Sequence, residues 1–180
     1  ISVAEYNQIK ENNSLFNKAI SGSYAPGSIF KMVTALAGLE SGVISTTEKI
    51  NDTGIYTRYR DYQPRCWYYN SYHRGHGYLD VSGAIEKSCN YFFYETGNRI
   101  GIETLDKYAN YFGLGRKTGI ELPSETSGTL ASPEAAKKAN ETWSTGQTLQ
   151  AAIGQSYNRF SPIQLVKYIG MVANGGNKIR

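Results

Sequence analysis

The chain has 180 residues, 40% hydrophobic and 19% charged, which suits one domain with a sizeable core; it shows neither repeats nor a low-complexity tract. Its net charge of +4 fits an acidic surface or substrate, but without a basic stripe it excludes a nucleic-acid signature. No stretch approaches the apolar length of a membrane span and no signal peptide opens the sequence, so an anchor is expected only in a segment outside this chain.

Ile1 to Ser23 reads as a polar approach segment. A helix is predicted from Ser28 to about Ser41 and ended by Gly42. Ile50 to Tyr69, rich in Tyr, Thr and Arg with Gly and Pro between them, reads as short strands and loops. His73 to Gly77 is a glycine-marked turn, and Asp80 caps a short helix over Val81 to Lys87. Two further helices are predicted, from about Tyr91 to Arg99 and from Ile102 to Tyr111, the second ended by Gly113. Gly113 to Leu130 is a glycine-rich connector. Ser132-Pro133-Glu134 opens another helix with a cap serine and a proline at the first position. Gln147 to Ile153 is short and mixed. Ser161-Pro162 starts the last helix, which runs to about Val172 before Asn174-Gly175-Gly176. That glycine pair is a turn signal that usually introduces a strand, and only four residues follow it. Fifteen tyrosines suit aromatic-rich polar surfaces and grooves.

Among the serines, only Ser28 has a lysine, Lys31, three residues on. Residues three apart share a helical face, so hydroxyl and amine are expected to point into one space, with Ser28 in the first turn. An active-site serine needs a base within reach and backbone N–H groups beside it. The pair S-x-x-K is the nucleophile motif of penicillin-binding proteins and class A β-lactamases, although two specified positions alone also fit a helix start with an exposed lysine.

The wider run Tyr24-Ala25-Pro26-Gly27-Ser28-Ile29-Phe30-Lys31 resembles the YPPGSTFK signature of class B penicillin-binding proteins, with Ala25 in place of proline and Ile29 in place of threonine. Asn17-Lys18-Ala19 resembles the approach segment of that family. Ser88-Cys89-Asn90, followed by Tyr91-Phe92-Phe93-Tyr94, resembles its S-x-N element. Gly75-His76-Gly77, Gly113-Leu114-Gly115, Thr118 to Pro123, Ile153-Gly154-Gln155 and Ser161 to Leu165 match as well, so the resemblance covers nearly the whole chain. Lys117-Thr118-Gly119 reads as the family's third motif but is a decoy. In the family that triplet lies on a strand after the last helix, whereas here it precedes that helix.

The resemblance implies a serine β-lactamase-like α/β (α+β) fold, mostly its helical subdomain, with the C-terminal sheet strands missing from this chain. Residues 1–180 are then part of a transpeptidase domain, with the K-T-G segment expected after 180, either in a second fragment following cleavage at Arg180 or in the remainder of a longer chain. The implied activity is a peptidoglycan D,D-transpeptidase. Ser28 attacks a D-alanyl-D-alanine stem peptide, Lys31 is its base, Ser88 relays a proton to the leaving amine, and Asn90 holds Lys31 and the substrate amide. Ser28, Ser88 and Asn90 also bind substrate. No convincing equivalent of a β-lactamase's water-activating glutamate is found; Glu121 and Glu125 lack its local pattern. A β-lactam sensor domain and a D,D-carboxypeptidase remain alternatives of the same fold, and a non-catalytic zinc-binding module a third. The implied partners are stem peptides, β-lactams, the rest of the domain and cell-wall synthesis membrane proteins, with no nucleic acid. The implied place is the extracytoplasmic face of the bacterial membrane.

Both cysteines and both histidines fall between positions 66 and 89, as Cys66, His73, His76 and Cys89. Two thiolates and two imidazoles are a preferred tetrahedral zinc set, although this is not a standard finger spacing. Three readings stand: a structural zinc on these four, with Asp80 or Asp61 able to replace His73; free thiols, since Cys66-Trp67 and the G-H-G turn have family counterparts; and a Cys66–Cys89 disulfide, which an extracytoplasmic compartment permits. A zinc there would fix the helix junction that presents Ser88 and Asn90. No cofactor is expected for catalysis itself.

Overall fold

The computed structural model describes residues 1–178, so Arg180 lies outside the described residues. Its architecture is eight helices and one two-stranded sheet among those residues. The first helix, α1 (Val3–Glu11), occupies what the sequence suggested was a polar approach. It forms because Ser2 and Glu5 make a reciprocal capping box, and it buries no residue, which is why apolar periodicity gave no sign of it.

The predicted Ser28 helix starts one residue earlier, as a single 3-10 turn over Gly27–Phe30, and continues as α2 (Lys31–Glu40). Helix α2 buries Val33, Ala35 and Ala37 on several sides at once, the pattern of a helix enclosed by others rather than lying on a surface. It packs on α5 (Asn90–Tyr111), which packs in turn on α7 (Thr145–Ala152). Small residues allow that approach. A methyl on Gly38 would sit 2.7 Å from Thr96 of α5, and one on Gly97 would sit 2.3 Å from Ala152 of α7. The predicted break between two helices near residue 101 is present inside α5: Gly101, at φ +72°, interrupts the helical dihedrals.

Of the strands expected over residues 50–69, only β1 (Ile50–Asp52) forms, beside an isolated bridge between Ile55 and Arg65. It pairs antiparallel with β2 (Gly77–Leu79), in a register that sets Asp52 opposite Gly77. Helix α3 (Trp67–Tyr72) replaces the loop read at the end of that stretch. Helix α4 (Val81–Glu86) is capped by Asp80 as expected, its carboxylate accepting from the Gly83 N–H at 2.8 Å. Helix α6 (Pro133–Lys138) starts at the predicted Ser-Pro cap, and α8 (Pro162–Ala173) follows Ser161. Two apolar clusters result: one between α2, α5 and the β1–β2 side, built on Phe92, Phe93 and Tyr94, the other between α2, α7 and α8, built on Phe30, Phe160 and Tyr168. The turn bearing Ser28 stands at the N-terminal end of α2.

Candidate active site

Ser28 is exposed on the 3-10 turn, and Lys31 is buried at the start of α2. Gly27 sets the turn: its N–H donates to the carbonyl of Gly154 at 2.9 Å, which pins the turn to the end of α7. Ser88 arrives from the opposite side, in the tight connection between α4 and α5. It has a left-handed backbone at φ +50°, held as its N–H donates to Ile85 and that of Cys89 donates to Ala84. Asn90 follows at the first position of α5, and the buried Cys89 sulfur caps that helix by accepting from the Phe92 N–H at 3.4 Å.

These four residues meet. The Lys31 ammonium donates to the Ser88 carbonyl at 2.7 Å, to Ser88 Oγ at 2.9 Å and to Asn90 Oδ1 at 2.7 Å, which engages all three of its donors. Ser88 Oγ donates to Ser28 Oγ at 2.8 Å. The path between the Lys31 amine and the Ser28 hydroxyl therefore runs through Ser88, and the two groups point into one space as the spacing predicts. Burial draws the Lys31 amine down to about 8 from its ordinary 10.5, against the opposing pull of Cys89 and Cys66. Phe93 covers its other side, with Nζ 5.8 Å from the ring centroid. At that value roughly a tenth of the group is free amine at pH 7, far more than an ordinary lysine holds.

Residues to which the motifs gave no role in the site extend it. Tyr94, one turn along α5 from Asn90, is buried, and burial pushes its phenol up. Trp67, at the start of α3, donates its indole N–H to the Lys87 and Ser88 carbonyls, each at 3.1 Å. Neither has a spacing that sequence periodicity would single out. The Lys117-Thr118-Gly119 triplet lies in coil. The Glu125 carboxylate clasps it, accepting from the Thr118 N–H at 2.5 Å, the Thr118 hydroxyl at 2.6 Å and the Gly119 N–H at 3.3 Å.

A second cluster lies directly behind Ser88. Asp52, Cys66, His76 and Cys89 bring four potential ligand atoms within 4.8 Å of one another. This corrects the ligand set expected from sequence. His73 is exposed at the left-handed end of α3 and stands outside the cluster, and Asp52 takes the fourth place. Neither residue named as a substitute fills it: Asp80 is the cap of α4, and Asp61 is exposed beside Tyr62. The β1–β2 pairing explains the exchange. It lays the Gly75-His76-Gly77 turn across Asp52, so tightly that a methyl on Gly75 would fall 1.9 Å from the Asp52 carbonyl. The His76 N–H and Nδ1 meet Asp52 Oδ2 at 3.2 and 2.7 Å.

Cys66 and Cys89 are free thiols with sulfurs 4.0 Å apart. The Cys89 thiol, bonding to Cys66 against the effect of burial, draws the Cys66 thiol down to about 6, while the same pairing and burial push Cys89 up. Burial opposes ionisation of Asp52, but hydrogen bonds from His76, Gly54 and Cys89 outweigh it and hold its carboxyl below the usual range. The cluster presents soft sulfur donors together with a carboxylate and an imidazole in a buried space.

The donor set fits zinc. Zn–S bonds of about 2.3 Å and Zn–N or Zn–O bonds of about 2.0–2.2 Å in a tetrahedron imply ligand separations of about 3.3–3.8 Å. The cluster shows 3.7 Å between Cys66 Sγ and His76 Nδ1, 3.3 Å between Cys89 Sγ and Asp52 Oδ2 and 4.0 Å between the two sulfurs, while His76 Nδ1 and Asp52 Oδ2, hydrogen-bonded at 2.7 Å, would have to part to admit the ion.

Residues 1–180 match the family described as the penicillin-binding protein transpeptidase domain. Among curated relatives, the peptidoglycan D,D-transpeptidase MrdA of Acinetobacter baumannii is 32% identical over 188 residues, covering 99% of this chain and 27% of that protein. MrdA of Escherichia coli K12 is 34% identical over 172 residues, covering 92% and 26%. Among solved structures, Pseudomonas aeruginosa PBP2 in complex with WCK 5153 superposes with a TM-score of 0.89 at 34% identity, over 100% of this chain and 41% of that one. Helicobacter pylori PBP2 in complex with MreC gives 0.88 at 32% identity, over 97% and 32%. The helix-rich architecture with a small sheet is that of these structures, and the chain spans about a quarter of the length of the curated relatives it matches.

Proposed function

The chain belongs to the penicillin-binding protein transpeptidase domain family, and from that premise we propose that it supplies the acylating half of a peptidoglycan D,D-transpeptidase. The observation that carries this reading is the continuous hydrogen-bonded path from Lys31 Nζ through Ser88 Oγ to Ser28 Oγ. With Lys31 as the free amine, Ser88 passes its proton to Nζ and receives that of Ser28. Ser28 Oγ then attacks the carbonyl carbon of the penultimate D-alanine in the donor stem peptide. The Ser28 N–H stabilises the oxyanion from one side; the second donor is assigned to a K-T-G strand in a part of the domain beyond residue 180. As the tetrahedral intermediate collapses, the proton returns through Ser88 to the leaving D-alanine amine. The amine of a neighbouring stem peptide then attacks the Ser28 ester, freeing Ser28 and forming the crosslink. Asn90 holds Lys31 on one side and the substrate amide on the other.

The same relay would open a β-lactam ring onto Ser28. Residues 1–180 are read as one part of the transpeptidase domain. The protein is placed at the extracytoplasmic face of the bacterial membrane, anchored outside this stretch, as no helix among the described residues is long and apolar enough to cross a membrane. Membrane proteins of cell-wall synthesis are its proposed partners, in keeping with the MreC complex of the H. pylori relative. The relatives named D,D-transpeptidase favour this reading over a β-lactam sensor or a carboxypeptidase. Incubating the full-length protein with a fluorescent penicillin, followed by peptide mapping, is expected to place the label on the peptide containing Ser28. Label on another residue, or none, would remove the assignment.

We also infer a structural zinc held by Asp52, Cys66, His76 and Cys89. When bound, it would neutralise the buried negative charge and tie the β1–β2 turn to the cap of α5. The protein purified without chelator is expected to carry one zinc per chain by plasma emission analysis. Stripping the metal should lower the melting temperature by about 10 °C. Substoichiometric metal together with an unchanged melting temperature would contradict this.

A further inference from the structure

We propose that Trp67 is a positioning residue for the Ser28–Ser88–Lys31 relay, acting through its indole N–H on the turn that carries Ser88. The proposal rests on reading that relay as the acylation machinery. The turn is one the backbone does not adopt unaided. Ser88 has a side chain and a left-handed φ of +50°, a region sparsely populated by residues other than glycine, asparagine and aspartate. Its own N–H and that of Cys89 are tied back to Ile85 and Ala84. The carbonyls of Lys87 and Ser88 lie past the end of α4 and need donors from elsewhere. Trp67 supplies one N–H to both, at 3.1 Å each, and Lys31 supplies a second donor to the Ser88 carbonyl at 2.7 Å. The Ser88 carbonyl is therefore fixed between an indole on one side and the ammonium of the proposed base on the other. Its hydroxyl has to lie between Lys31 and Ser28 for protons to move.

The rest of the tryptophan's setting agrees with this role. The residue is 41% exposed, so a place in the core does not account for it. Its ring stands edge-on to Tyr68 and His76, with centroids at 5.5 and 5.6 Å, which fixes where the N–H points. Its chain neighbour Cys66 is buried among the candidate metal ligands. An indole donates and cannot accept, and no phenylalanine or tyrosine ring carries a donor at that ring position. Trp67 thus carries the rigidity of the buried cluster to the strained turn by a single directed contact.

The test uses the full-length protein with two replacements that keep an aromatic ring: Trp67→Phe, and 3-benzothienylalanine at position 67, which matches the shape of indole but lacks the N–H. Stopped-flow measurement with a fluorescent penicillin separates the non-covalent Kd from the acylation rate constant. Both replacements are expected to lower the rate constant about tenfold and to leave Kd within about twofold. The benzothienyl variant should keep the wild-type melting temperature. A benzothienyl variant that acylates at the wild-type rate would overturn the proposal, as would a loss confined to Kd, which would make the ring a ligand contact. A loss explained wholly by a smaller folded fraction would make the role merely structural and overturn it too. If the wild-type protein is not acylated at Ser28 at all, the functional reading itself falls and the proposal with it. An unchanged variant beside a reactive wild type removes the proposal alone.

Discussion

Lys31→Met in the full-length protein is expected to slow acylation of Ser28 by a fluorescent penicillin about a thousandfold, while the protein stays folded by its melting curve. Methionine keeps an unbranched apolar stem beside Phe93 and removes the nitrogen. With it go all three hydrogen bonds to Ser88 and Asn90, and the proton acceptor at the end of the relay. Ser28 would still meet Ser88, but a hydroxyl chain that ends on no base cannot take a proton at neutral pH. The pH profile supplies the second half of the expectation. The reactive form of Lys31 is the free amine, and burial has brought its pKa down to about 8. Below that value the amine is protonated and the relay is blocked, so the wild-type acylation rate should rise with pH and level off above about 8. The variant should lose that rise. A wild-type profile that is flat from pH 6 to pH 9, or a variant within about tenfold of wild type, would take Lys31 out of the role of base.

The sequence made this centre legible because its pieces are local. Ser28 and Lys31 are three apart, and Ser88-Cys89-Asn90 is one contiguous run; each sits at a helix start that its own residues specify. What a linear pattern does not contain is which atoms touch. Same-face geometry placed serine and amine in one space but did not show that Ser88 stands between the two groups. The metal cluster shows the same limit more sharply. Counting thiols and imidazoles found Cys66, His76 and Cys89 and also drew in His73. Asp52 comes from a strand 24 residues before His76, and only the pairing of Ile50–Asp52 with Gly77–Leu79 brings it there. Helix α3 was hidden for a different reason. Trp-Tyr-Tyr-Asn-Ser-Tyr is poor in strong helix formers and rich in aromatics that favour strands, so tertiary packing overrides the local preference. The Gly101 break was readable because a glycine at positive φ is required there.

Gly154→Ala carries the second large effect, and it acts through the backbone of the turn that bears Ser28. Gly154 has φ +76°, and a methyl there would fall 2.2 Å from the Gly27 carbonyl oxygen and 2.7 Å from Phe30 Cβ. Its own carbonyl accepts the Gly27 N–H at 2.9 Å, so the loop after α7 and the turn bearing Ser28 lie back to back. A left-handed alanine costs about 1–2 kcal/mol, and forcing the methyl into a packed contact adds about 1–3 kcal/mol. The loss expected in denaturant unfolding is therefore about 2–5 kcal/mol. Relief can come only by moving Gly27 away, and Ser28 moves with it. A displacement of about 1 Å at a reacting group costs about a hundredfold, so the folded fraction should also acylate slowly. Gly42→Ala isolates the backbone part of the penalty. Gly42 has φ +72°, yet a methyl there would meet nothing within 4 Å. Its variant should lose only the conformational share of about 1–2 kcal/mol and keep the wild-type acylation rate. Equal losses of stability in the two variants, or a folded Gly154→Ala protein that acylates normally, would show that the contact between these two loops does not set the position of the nucleophile.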